Sequence, residues 1–282
     1  MNIFYLTTII IGVAVQNIIK RPYTNRTNGK GVYFFSAATS LVAMLFFLIG
    51  AKNLSWNIVV LPYSLAFAIA YAVGTVASVV AVGCGSISFT SLIMQYSLML
   101  PTFYGLFFLK DQVSPGFIPG ILLLIVSLFL INGKGEDAKF SIKWIISIVL
   151  AFVGNGMCSV VQKMQQVRFD GLYKNEFMIA ALAIVTVVLT LFITSKERTQ
   201  FKFFVKSGWH LAIGCGIMNG LVNLFVMILS GRMPVSVMFP LVSAGGIIVT
   251  YFVSRLAYKE TLSKLQFVGF VLGIASVVFL NI

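Results

Sequence analysis

A chain of 282 residues with 59% hydrophobic and only 10% charged side chains is no ordinary soluble domain, in which about 25% of residues are charged. Its mean hydropathy of +1.01 points to an all-α integral membrane protein. The net charge of +13 would suggest nucleic acid in a soluble chain, but no basic stripe with interleaved aromatics appears, so no nucleic-acid partner is expected.

Taken in order, apolar runs of about 20 residues, the length that crosses a bilayer, predict ten transmembrane helices. They fall near 2–19, 31–50, 57–82, 86–109, 115–132, 142–163, 177–194, 207–230, 234–254 and 264–281. The first begins at Ile3 with no basic residue ahead of it and no small-residue cleavage pattern behind it, which reads as a retained span. The polar gap 133–141 opens with a glycine-bearing charged run, Gly133 to Lys139, and divides the chain into five-helix halves, 1–132 and 142–282.

The halves are related. A shift of 149 positions lays Lys110-Asp111 on Lys259-Glu260, Ser114 on Ser263, Gly120 on Gly269, Ser127 on Ser276 and Asn132 on Asn281, without a gap. Such internal similarity marks a duplicated unit. Because five is odd, the second unit enters the membrane upside down, so the repeats are inverted, and sites of secondary transporters lie between such repeats.

Orientation follows from the basic residues. Lys52, Lys110, Lys163, Arg168, Lys174 and Arg232 lie on one side, and the other fourteen of the twenty lie in loops on the opposite side. The positive-inside rule places the richer side in the cytoplasm and both termini outside.

Polar residues inside the spans are the informative ones. Spacings of three and four put several on single faces: Thr8, Gly12 and Gln16 in the first span; Ser64, Tyr71, Thr75 and Ser78 in the third; Ser88, Ser91, Gln95 and Thr102 in the fourth. The second half repeats the pattern with Asn155, Ser159, Gln162 and Gln166, then Asn219, Asn223 and Ser230, then Ser236, Ser243, Thr250 and Ser254. The expectation is a polar cavity between the halves, with substrate-binding candidates Gln16, Tyr71, Thr75, Gln95, Asn155, Ser159, Gln162, Asn219, Asn223 and Ser243. Interhelical hydrogen bonding uses the same residue types and is the competing explanation. The fifth and tenth spans lack stripes and are expected at the periphery.

All seven acidic residues sit in loops or at span ends, so carboxylate-based proton coupling lacks a residue. Asp111 and Glu260 read as parts of interfacial turns. Lys20 and Lys163 each close the first helix of a half; they either snorkel to the surface or turn inward to hold an anion. His210, beside Trp209, takes an interfacial position. Gly116 with Gly120 and Gly269 with Gly273 match small-xxx-small packing, within the chain or in a homodimer. Pro101, Pro234 and Pro240 are expected to bend the fourth and ninth spans. Cys84, Cys158 and Cys215 have no metal-like spacing, and no catalytic constellation appears, so neither an enzyme nor a cofactor is expected.

The lysine–acid turns at Lys110-Asp111 and Lys259-Glu260, each followed by a Ser and a Gly-containing helix, resemble the drug/metabolite transporter superfamily in its ten-helix branch with two EamA-like repeats. The segment Gln16-Asn17-Ile-Ile-Lys20 is similar to that family's opening helix. The resemblance implies alternating access through a cavity lined by helices 1–4 and 6–9, a small polar metabolite (amino acids among the candidates) as substrate, and a multi-pass place in the cell membrane as monomer or homodimer. Family members usually keep their termini in the cytoplasm, against the charge count. The family's four-helix relatives use a first-helix carboxylate for proton exchange; Gln16 and no acid stands in that span here. A channel-like or lipid-scrambling protein is the alternative.

Overall fold

The structure, a computed structural model, describes residues 2–51, 53–85, 87–111, 115–132, 141–258 and 263–279. It is helical over 87% of its length, with no strand among the described residues. Backbone polar groups are thus satisfied within each segment, as hydrocarbon requires. The connecting loop 133–140, the Lys259-Glu260 pair, Ser114 and Asn281 lie outside the described residues, as do the side chains of Ser88, Ser91, Thr250 and Ser254.

The helices are α1 (Asn2–Arg26), α2 (Val32–Gly50), α3 (Leu61–Cys84), α4 (Ile87–Tyr96), α5 (Met99–Phe108), α6 (Phe117–Asn132), α7 (Ile142–Arg168), α8 (Lys174–Phe192), α9 (Phe201–Ser230), α10 (Val235–Tyr258) and α11 (Lys264–Phe279). Among the described residues five stretches are long and apolar enough to cross a membrane: Asn2–Arg26, Val32–Gly50, Ile58–Cys84, Ile142–Arg168 and Lys174–Ser230, the last holding both α8 and α9. Large apolar side chains point outward all along them, with Ile49 85% and Ile142 77% exposed. Exposure on that scale suits a lipid solvent and not water.

Two expectations are corrected. The polar gap after residue 19 is shorter than the sequence suggests, because α1 runs on to Arg26 through Pro22. Its last turns stay helical because they are tied down: Arg21 Nη1 donates to the carbonyls of Val82 and Gly85 at the C-terminus of α3 (2.6 and 2.7 Å), and the buried Tyr23 hydroxyl donates to Gly31 O. The span expected at 86–109 is not one helix. It breaks between α4 and α5 at Ser97-Leu98, where the backbone N–H groups of Ser97 and Leu98 reach back only three residues, to Met94 and Gln95. Pro101 explains the position: it has no N–H for the Ser97 carbonyl four residues before it, which pairs instead with Leu100 N at 3.1 Å. Pro240, by contrast, sits inside an unbroken α10.

Packing follows a two-part pattern. The principal pairs are α3 with α7, α1 with α9, α2 with α9, α3 with α8, α2 with α8, α6 with α11, and α10 with α1, α4 and α5. Exchanging α1 with α7, α2 with α8, α3 with α9, α4–α5 with α10, and α6 with α11 carries each of these pairs onto itself or onto another observed pair, since α7 also contacts α4 and α5. The α3–α7 crossing brings backbones together: a Cβ on Gly154 would lie 2.6 Å from Gly74 Cα. Between α6 and α11, Ser127 Oγ donates to Gly269 O at 2.6 Å and fills the space left by Gly273. The small-residue motif of the last helix therefore serves packing inside the chain. A core of Phe35, Phe67, Phe177, Met178 and Leu182, all fully buried, joins α2, α3 and α8.

Candidate functional site

The helices that carry the polar stripes are the ones that pack across the middle, and their amides find one another. Asn219 of α9 is the hub. Its Nδ2 donates to Gln16 Oε1 of α1 at 3.0 Å, and its Oδ1 accepts from the Tyr71 hydroxyl of α3 at 2.9 Å. The same Oδ1 and the Asn219 carbonyl accept from Asn223 Nδ2, at 3.0 and 2.9 Å. Asn223 Oδ1 in turn accepts from Gln162 Nε2 of α7 at 2.8 Å, which also lies 3.8 Å from Met178 Sδ. One hydrogen-bonded chain therefore joins α1, α3, α7 and α9. Gln16, Tyr71, Gln162 and Asn223 are all buried, and Asn219 is partly so. Burying an amide is tolerable only when it is bonded, and here the amides satisfy each other instead of facing an open chamber.

The remaining candidates fall elsewhere. Gln95 closes α4 at 2% exposure, packed on the bare face of Gly246. Its backbone carbonyl accepts from the Ser243 hydroxyl of α10 at 3.1 Å, yet its Nε2 has no partner among the described residues. Asn155 of α7 is exposed and reaches the helix break, with Nδ2 3.4 Å from Ser97 Oγ. Thr75 is partly buried on α3 and its carbonyl accepts from the Ser78 hydroxyl. Ser159 is buried on α7 at 8% exposure. The Thr75 side chain meets the Tyr71 hydroxyl and so adjoins the amide chain.

Both end lysines turn inward, but they are held differently. Lys163 Nζ donates to the Ser230 carbonyl at 2.7 Å; that carbonyl ends α9, where the helix dipole favours a cation, and Asp111 is within electrostatic reach. Lys20 is 7% exposed and has only neutral partners among the described residues, Ser78 Oγ at 3.0 Å and Asn17 Oδ1 at 3.4 Å. Polar groups that the stripes did not reveal lie on α1 and α2. Among the described residues Asn17 Nδ2 and Ser36 Oγ are buried without partners, and the Cys215 thiol lies beside Lys20 and meets the Thr39 hydroxyl. The spacing Ser36-Ala-Ala-Thr39-Ser40 was the available signal, but small hydroxyl residues inside an apolar run look like packing residues.

One helical turn past Lys20, a cavity of about 370 Å³ opens between the ends of α1 and α3, lined by Thr24, Asn25, Asn28, Val80, Gly83 and Lys143 among others. The acidic residues act at helix ends. Asp111 Oδ2 accepts from Ser236 N at the start of α10 (3.3 Å), Glu197 from the N–H groups of Tyr33 and Phe34 at the start of α2, and Glu176 from Ser55 N. His210, exposed, meets Arg26 at 3.1 Å. Among the described residues no group of three His, Cys, Asp or Glu could hold a metal.

No family model matches this chain, and no curated protein matches it either. Among solved structures, 28 chains are similar. One, a protein known from a crystal structure, aligns over 99% of this chain and 94% of its own at a TM-score of 0.72 and 13% identity. That likeness extends to the whole fold, and to the fold alone.

Proposed function

We propose that this protein is a secondary transporter of small polar metabolites, built from ten membrane-crossing segments in two inverted five-helix repeats. In this reading α4 and α5 together form the fourth segment. The observation that carries the proposal is the amide chain from Gln16 through Asn219 and Asn223 to Gln162, with Tyr71 attached. It runs along the seam where α1 and α3 of one half meet α7 and α9 of the other, which is where transporters with inverted repeats place their substrate. Interhelical bonds of this kind are each worth only about 0.5–2 kcal/mol in a membrane. A polar solute or water can therefore take them over one by one as the halves rock apart. In this reading the protein lies in the cell membrane, and by the positive-inside rule the C-terminal end of α1 faces the cytoplasm.

Counterflow into liposomes of purified protein, over a panel of metabolites with amino acids included, tests the reading. Saturable exchange of at least one solute is expected. Passive flux of ions or lipid that does not saturate assigns the protein instead to the channel-like or scrambling class, and no flux of any kind removes the proposal.

A further inference from the structure

We infer that, within the transport reading, the solute is an anion: a carboxylate or phosphate held by Lys20. A buried ammonium is costly unless an opposite charge or a full set of acceptors compensates it. Lys163, its counterpart in the second half, has a helix C-terminus and the nearby Asp111 for this purpose. Lys20 has one hydroxyl and one amide oxygen. Around it the imbalance continues in the same sense. Asn17, whose Oδ1 accepts from Lys20, carries in Nδ2 a group that is a donor and nothing else, buried with nothing to bond among the described residues. Native proteins rarely leave such a donor unmet, least of all beside a buried ammonium. The surplus is of donors and of positive charge, so what completes it is an acceptor with negative charge, and the shared chemistry of carboxylate and phosphate fits.

A cavity opens further along the same two helices. Thr24 lies one turn beyond Lys20 on α1, and Val80 lies next to the end of the Ser78 turn on α3; both line the 370 Å³ cavity. That volume falls in the range of about 300–1,000 Å³ typical of small-molecule sites. Of the residues lining it, Lys143 carries charge and none is acidic, so it attracts anions and repels cations on the way in. The cavity belongs to the side richer in Lys and Arg, so the anion enters from the cytoplasm.

The test is ligand-dependent thermal stability of the full-length protein in phosphatidylcholine nanodiscs. The probes are acetate, pyruvate, succinate and inorganic phosphate, with acetamide and succinamide as uncharged counterparts. At least one anion is expected to raise the Tm in a saturable way while its amide does not. In Lys20→Met the apparent affinity for that anion falls about tenfold or more, as expected for a lost charged hydrogen bond, whereas Lys163→Met keeps it. If Lys20→Met does not fold, Asn17→Asp supplies the reading: it keeps the oxygen that accepts from Lys20, pairs the ammonium and removes the unmet donor, so the protein folds and its anion response is lost. Stabilisation by none of the anions, or equal stabilisation of Lys20→Met, overturns the inference. A shift produced only by phosphatidylglycerol in the bilayer assigns the site to a lipid headgroup and also overturns it. Counterflow of uncharged solutes without anion binding leaves transport standing and removes only the anion; anion binding without counterflow does the reverse.

Discussion

Gln16 and Asn219 stand 203 positions apart and meet side chain to side chain at 3.0 Å. The bond crosses from the first half of the chain to the second, and the same Asn219 side chain also holds Tyr71 and Asn223. Substituting Asn219→Leu takes partners from three neighbours at once and leaves buried polar groups unmet. A loss of about 1–3 kcal/mol is expected, read as a lower Tm. Combined with Gln16→Leu the losses do not add, because both remove the same bond. Additive losses would show that the two amides are not coupled.

At the crossing of α3 and α7, Gly154 and Gly74 touch through their backbones. In Gly154→Ala the new methyl has no room, so the helices separate or the site strains, at a cost of about 1–3 kcal/mol. Thermal unfolding measures it. An unchanged Tm contradicts the close approach.

Asp111 supplies the acceptor for Ser236 N at the head of α10, which joins a loop of the first half to a helix of the second. Asp111→Ala is expected to cost about 1 kcal/mol, the usual worth of a cap. Asp111→Asn keeps an oxygen in place and loses less. Equal losses would point to charge alone.

Much of this was legible because amides and tyrosines stand out in apolar runs. Gln16, Tyr71, Gln162, Asn219 and Asn223 were separable by type and spacing, and the structure brings them into one chain. The surroundings of Lys20 were less visible, because no pattern says whether a lysine at a helix end points out along the surface or in toward Ser78. The continuation of α1 to Arg26 depends on long-range bonds from Arg21 and Tyr23, which local sequence does not encode. Pro101 did announce a bend; that it ends α4 outright depends on the close seat of α7, where a Cβ on Gly156 would fall 2.9 Å from Leu100 Cβ.

That break gives a further expectation. Pro101→Ala restores the N–H that the Ser97 carbonyl lacks, and so favours a continuous helix by about 1 kcal/mol or more. Amide hydrogen exchange at Ser97 and Leu98 should slow. If the break serves as a hinge for transport, counterflow slows as well. Unchanged exchange would mean that packing against α7, and not the proline, holds the break open.

Whether the seam of amides opens to water is tested most directly by thiol labelling. In a background with Cys84, Cys158 and Cys215 replaced by Ala, Asn219→Cys is exposed to a membrane-impermeant maleimide from each side of sealed vesicles. Transport by alternating access predicts reaction at position 219 from the aqueous phase, slowed by a transported solute. A thiol there that reacts from neither side under any condition, while a control thiol in the loop at Asn28 reacts readily, would mean the seam is a permanent dry contact and the protein does not carry solutes through it.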